Sequence, residues 1–423
     1  MKINFTEDEL IATRVGAMIN EVDLDENSDR ILSNQIKSWF CSGDIQERIL
    51  ANKADIFRRL VRADEYKTLA KNYNCCWEPY LVGDVNDYRT PFIDNLLDIK
   101  AGEIKWPGEK RFALCLTHDM DILHSCQIKQ KIRSLKYHLK APLRRKMIFL
   151  LSILKHAMMY AFSSRTSFPI DAWMKIEDQF GFRSTMFFLA GPPAMPHYWD
   201  FLYHISDNIN YGGKERPLKE VIHEIAEAGW EVGLHGGIHS SLNSNLLSEE
   251  RERLCDAARV EVVSGRQHYL MYDIRITPLV HENAGLLVDS SLGSNTLPYS
   301  YRCGTGLPHR MYDMIDKRVI NVLQVPMIIH DVPLITAARG NSKAATDIVF
   351  KILEAAAKRG TIVTIVFHNN CFEDETKFLI YKEVLQIAHD LGAWGCSVKD
   401  IYEWYITREN CYIKRTQNES IVN

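Results

Sequence analysis

The sequence predicts an α/β protein built on a parallel sheet, either a (β/α) barrel or a doubly wound sheet. Three observations predict it. From Trp106 onward, short apolar runs alternate with segments of helical periodicity. Several runs are apolar throughout, as strands covered on both faces are. Trp106 to Tyr405 holds 300 residues, and 260 once residues 127–166 are set aside, close to the roughly 250 of a barrel.

The elements follow in order. Residues 1–105 mix helical periodicity with polar breaks, and they read as a small N-terminal α+β accessory domain. In it, Gln46 to Val61 is expected to be helical, and Cys75-Cys76-Trp77-Glu78-Pro79 a turn-rich connection. Phe112–Thr117 is the first buried strand. Pro169–Phe180 carries Ile170, Trp173, Met174 and Glu177 at helical spacing and stops at Gly181. Arg183–Leu189 is the next strand. Leu218, Val221, Ile222 and Ile225 line a helix that Gly229 closes before the strand Trp230–Leu234. Later strands are expected at Leu286–Asp289, Val319–Val325 and Thr361–Phe367. Helices are expected at Glu249–Val262, Ser342–Lys358 and Lys377–Leu391. The barrel unit then spans 106–410, and residues 411–423 form a polar tail.

One segment breaks this rhythm. Gln127 to Lys146 holds eight basic residues and no acid, and an apolar stretch from Met147 to Phe162 follows. Lys155 and His156 sit inside that stretch, so it is not expected to span a membrane. Residues 127–166 fit either an interfacial element on an anionic membrane or a helical hairpin packed on the barrel.

Composition excludes several classes. With 51 Lys+Arg against 54 Asp+Glu, the net charge of −3 rules out a globally basic nucleic-acid binder. No stretch reaches the roughly 18 apolar residues of a spanning helix. The N-terminus turns acidic where a secretory segment would become apolar. Ten scattered cysteines without a C-x-x-C pair suggest free thiols and a cytoplasmic location, with attachment to the inner membrane face as an option.

Three constellations carry chemistry, each at the end of an expected strand. Thr117-His118-Asp119-Met120-Asp121 puts two carboxylates at alternate positions in the barrel mouth. His235-Gly236-Gly237-Ile238-His239 pairs two imidazoles that can share a metal, with glycines that let the backbone bend so that both rings converge. His368 ends the apolar run Thr364–Phe367. Together they supply Asp/His/His for a divalent ion, a spare carboxylate to take a proton and a spare imidazole to give one. That is the inventory of metal-assisted hydrolysis.

In order and content these motifs resemble the polysaccharide deacetylase family of carbohydrate esterases, over about Phe112 to Trp404. The resemblance implies a distorted (β/α) barrel and a metal-dependent hydrolase of carbon–nitrogen bonds. It implies Asp119 as general base, and Asp121, His235 and His239 as metal ligands, with zinc favoured by the N/O donors. Gly265-Arg266-Gln267-His268-Tyr269 resembles the family's Arg motif, with Arg266 orienting the base and His268 and Tyr269 lining the substrate groove. Asp289-Ser290-Ser291 and Tyr301-Arg302-Cys303 resemble its next motif. In the mechanism these residues suggest, a neighbouring carboxylate holds His368 cationic, and Asp289 is the candidate. Phe367-His368 stands where the family has its catalytic acid. Two departures are visible: Met120 separates the carboxylates of the first motif, and the Arg motif has Gln267-His268 in place of a nearby Pro. The implied substrate is an N-acetylated saccharide, free or lipid-linked. The alternatives are a small cyclic amide or ureide, or a barrel that binds saccharide without catalysis.

Overall fold

The computed structural model describes residues 35, 37–40, 45–62, 65, 85–124, 128–139, 142–162, 170–193, 197, 200, 203–370 and 375–422. The connection expected at residues 75–79 lies outside them. Their centre is a ten-stranded sheet. Its strands are β1 (Phe112–Met120), β2 (Thr185–Phe188), β5 (Glu231–Gly236), β6 (Ser264–Gln267), β7 (Val288–Asp289), β8 (His309–Asp313), β9 (Arg318–Gln324), β10 (Ile329–His330), β11 (Ile362–Val366) and β12 (Ala393–Cys396). A separate antiparallel hairpin pairs β3 (Asn208–Tyr211) with β4 (Lys214–Pro217).

The sheet runs β10-β11-β1-β2-β5-β6-β7-β9-β8, and only the β8–β9 pair is antiparallel. β1 is nine residues long because one of its edges serves two partners. β12 pairs with Phe112–Cys115, and β2 pairs with Thr117–Met120. Four strand steps separate β11 from β6, which in a flat sheet would be about 19 Å. Yet His368, past β11, and His268, past β6, lie 3.7 and 3.8 Å from the same Asp121 carboxylate. The sheet is therefore curled into the distorted (β/α) barrel that the sequence predicts, and β10 and β8 remain its outer strands.

Two cores follow from the period-2 alternation of buried strands. Phe112, Leu114 and Leu116 of β1 face the helices, against Trp173, Ile222 and Leu353. Ala113 and Cys115 face inward with Phe187, Val288, Leu323 and Ile362. Described residues of the first 105 join that second core. Ile56, Phe57 and Leu60 of the helix Ile45–Leu60 pack there with Trp39 and Trp106. Glu65 also accepts a bidentate pair of hydrogen bonds from Arg302 at 3.0 and 2.9 Å. These described residues belong to the same core as the inward side chains of the barrel. At the other end of the chain, the helix Val398–Val422 continues through most of the stretch expected as a polar tail.

Residues 128–162 form two packed helices, Ile128–His138 and Leu143–Phe162. Arg133 forks onto Asp207 at 2.5 and 2.9 Å and ties the pair to the body. Cys115, Cys255, Cys303, Cys396 and Cys411 are unbridged.

A buried carboxyl at the barrel base gives a stability test. Burial pushes Asp94 up to about 7, against the opposing pull of the Thr305 hydroxyl and then of Arg359. Between its ordinary value and about 7, the folded chain holds a proton that the unfolded chain has released. Stability is thus fullest below the ordinary carboxylate value and falls as pH rises through about 7. Asp94→Asn is expected to match the parent in acid and to exceed it above neutrality, by on the order of a few kcal/mol. Denaturant midpoints across pH check this. A variant that is less stable at every pH contradicts it. Glu250, which burial also pushes up to about 7, keeps part of the slope in the variant.

Candidate active site

Parallel strands deliver their C-terminal ends to one mouth, and a pocket of about 420 Å³ opens there. Asp119, Asp121, His235, His268, His368 and Tyr269 are among the residues that line it. β1 supplies Asp119 and, just beyond its end, Asp121. Asn369, past β11, accepts from the backbone N–H of Ile122 and donates to its carbonyl. That clamp holds the ends of β1 and β11 together.

Asp121, His235 and His268 bring one ligand atom each within 4.8 Å of one another. The hydrogen bonds behind them fix which atoms those are. His235 Nδ1 lies 2.9 Å from the Arg266 carbonyl, so it carries the proton there and Nε2 presents a lone pair. His268 Nδ1 lies 3.1 Å from Asp200 Oδ1, with the same consequence. The two Nε2 atoms stand 3.1 and 3.8 Å from Asp121 Oδ1. That buried oxygen accepts no hydrogen bond among the described residues. With both rings neutral, three lone pairs converge, and each imidazole is oriented from behind, as metal-ligating imidazoles are. The charges agree. Burial would raise Asp121, yet His268, His235 and His368 hold it far below the usual carboxylate range. Burial would lower His235, yet Asp119 and Asp121 raise it. The donor set fits a divalent cation.

His239, expected as the second imidazole of the pair, lies outside this group. β5 ends at Gly236 and the chain turns, so His239 leads into the short helix Ser240–Leu242, with its ring 5.6 Å from that of His197. The His235 and His239 rings therefore do not converge on one site, and neither Gly236 nor Gly237 has a left-handed backbone. They allow close approach instead. A Cβ at Gly236 would meet the Gln267 side chain at 2.5 Å, and one at Gly237 would meet Pro193 at 2.8 Å. His268, expected to bind substrate, takes the third place because β5 and β6 are paired, with Gly236 opposite Gln267.

Asp119 sits beside this group. Arg266 Nη1 donates to its Oδ1 at 2.9 Å and to Thr117 Oγ1 at 2.7 Å. The other guanidinium nitrogens donate to the carbonyl and hydroxyl of Ser290. Burial would raise Asp119, but Arg266 and then His235 and His368 hold it below the usual range. Tyr269 adopts a left-handed backbone, φ 57°, with its carbonyl held by the Asn295 amide at 2.7 Å.

His368 faces Asp121 Oδ2 across the pocket at 3.7 Å. The carboxylate behind it is Asp331, not Asp289. Asp331 Oδ1 lies 2.8 Å from His368 Nδ1, and its Oδ2 accepts the His368 backbone N–H at 3.0 Å. Burial would lower His368, but Asp331, then Asp121 and Asp119, push it up to about 10. Asp289 ends β7 and turns to Ser291 Oγ at 2.5 Å and His281 Nδ1 at 3.3 Å. β10 is only two residues long, so nothing periodic marked Asp331. Asp200 lacks a marker because no motif in the sequence singles out the Tyr198-Trp199-Asp200-Phe201 stretch.

His330, Asp331 and His368 form a second close group. Its Nδ1 atoms are already used, His330 on the Ser294 carbonyl at 3.0 Å and His368 on Asp331. In this set Asp331 is already paired with His368.

No family model matches the chain, and no curated protein matches it. Solved structures do. A Mycobacterium smegmatis protein designated a polysaccharide deacetylase is 17% identical, with a TM-score of 0.48, over 72% of this chain and 94% of that one. Puue allantoinase is 14% identical, with a TM-score of 0.44, over 71% and 92%. A Pseudomonas aeruginosa protein, also designated a polysaccharide deacetylase, is 15% identical, with a TM-score of 0.42, over 71% and 92%.

Proposed function

We propose that this chain is a metal-dependent hydrolase of the polysaccharide deacetylase kind that removes the N-acetyl group of an amino sugar. One observation carries the reading. A cation-seeking Asp121–His235–His268 group, an ionised Asp119 and a cationic His368 surround one pocket on different sides. The motif order supports the same assignment.

Asp121, His235 and His268 would hold the ion, and zinc suits two imidazoles and a carboxylate. When bound, such an ion supplies a Lewis acid for an amide carbonyl and lowers the pKa of a water ligand. The remaining work belongs to side chains. Asp119, fixed by Arg266 and ionised, accepts the proton of the attacking water. An amine leaves an amide poorly unless it is protonated. His368, kept cationic by Asp331, has Nε2 turned into the pocket to donate that proton. Tyr269 and Asn295 line the wall where the sugar would lie.

The test is acetate release from free, nucleotide-linked and lipid-linked N-acetyl sugars, with ring opening of a cyclic ureide followed in parallel, before and after chelation. Release from at least one N-acetyl sugar is expected, with loss on chelation and recovery with added zinc. Undiminished release from the chelated protein contradicts the reading. Turnover of the ureide alone would replace the substrate class. A folded, metal-loaded protein that hydrolyses none of them would be a binding barrel.

A further inference from the structure

We propose that the helix Leu143–Phe162 is a docking surface for an anionic lipid bilayer. Leu143, Met147, Leu150, Leu151, Leu154 and Met158 are between 48 and 76% exposed. Their spacing, i, i+4, i+7, i+8, i+11 and i+15, sets them on one stripe of the helix. Phe149 and His156 are buried on the opposite face, and Lys131 of the neighbouring helix lies over the Phe149 ring. The helix therefore already has its protein-facing side, and the apolar stripe is a second one turned outward. Soluble surfaces rarely carry so continuous an apolar strip unless something covers it.

Charge identifies what covers it. Residues 128–162 contain nine Lys and Arg and no Asp or Glu. Arg144 and Lys155 stand exposed along one side of the stripe, and Lys146 lies along the other. An apolar stripe bordered by cations matches acyl chains below anionic headgroups. A second copy of this chain fits poorly, because two such faces would oppose cations with no acid to answer them. No helix among the described residues is long and apolar enough to cross a membrane, so the contact is peripheral.

The hairpin leaves β1 seven residues past Asp121, at the strand end that carries the pocket's carboxylates. The surface is argued from exposure and charge, and it stands apart from the reaction proposed above. Where that reaction holds, the surface selects lipid-linked saccharides among the N-acetyl sugars.

The test is co-sedimentation of the full chain with phosphatidylcholine vesicles, with and without phosphatidylglycerol. Binding is expected to the anionic vesicles, weakened by salt. Leu151→Glu/Leu154→Glu and, separately, Arg144→Gln/Lys155→Gln are each expected to lower partitioning about tenfold or more. All four side chains are exposed, so Tm should stay near the parent's. Failure of the folded parent to bind anionic vesicles overturns the proposal, as does undiminished binding by the Glu variant. A dimer in sedimentation velocity that the Glu variant dissociates, without vesicle binding, would assign the stripe to a second copy. Hydrolysis enters none of these readouts, so either proposal can fail without the other.

Discussion

His268→Ala is expected to weaken divalent-metal binding by more than about 100-fold and to remove acetate release with it, while His239→Ala changes affinity only a few-fold. The expectation follows from which nitrogens are already used. His235 and His268 each spend Nδ1 on an acceptor behind the ring and turn Nε2 toward Asp121 Oδ1. His239 has its ring against His197 and lies outside the group. Asp200 should matter at one remove. Asp200→Asn keeps the shape but weakens the acceptor that orients His268, and a loss of about 10–100-fold in affinity is expected. Competition with a fluorescent chelator measures all three variants. Equal losses for His239→Ala and His268→Ala would return the third ligand to the H-x3-H pair.

The same comparison shows how far the sequence could be read. β1, β5 and β11 are apolar enough to stand out, and the residues at their ends, Asp119, Asp121, His235 and His368, line the pocket. β6 is Ser-Gly-Arg-Gln, four buried residues without an aliphatic side chain, so no hydrophobic pattern announces it. Its polar groups are buried because they serve the site, Arg266 on Asp119 and Gln267 beside Gly236. Without β6, nothing in the chain sets His268 beside His235, and spacing alone favours His239. The short strands β7 and β10 decide Asp289 and Asp331 in the same way. Each spans two residues, and its placement depends on neighbours distant in sequence. The sequence marks the basic hairpin plainly, but burial in three dimensions was needed to show which apolar side chains it leaves exposed.

Asp331→Asn is expected to lower acetate release from an N-acetyl sugar by about 10²–10⁴-fold, with metal affinity retained. The variant keeps the side-chain volume and the acceptor for the His368 backbone N–H, but it loses the negative charge beside Nδ1. The largest of the charges that hold the His368 proton against burial is then gone, and only Asp121 and Asp119 still favour it. His368→Ala should be slowed to a similar extent. The double variant should be little worse than either single one, because the two residues act as one acid. Multiplying losses would instead mean that Asp331 works independently of His368. An aryl acetate separates acid catalysis from general damage, since a phenolate leaves without being protonated. On that substrate Asp331→Asn should approach the parent rate, whereas Asp119→Asn, which removes the proton acceptor held by Arg266, should remain slow on both. If Asp331→Asn is equally slow on the aryl ester, the residue supports the pocket's structure and does not serve proton donation. Asp289→Asn offers the contrast that sequence alone would have reversed. It acts on Ser291 and His281, so it should leave the difference between amide and aryl ester unchanged.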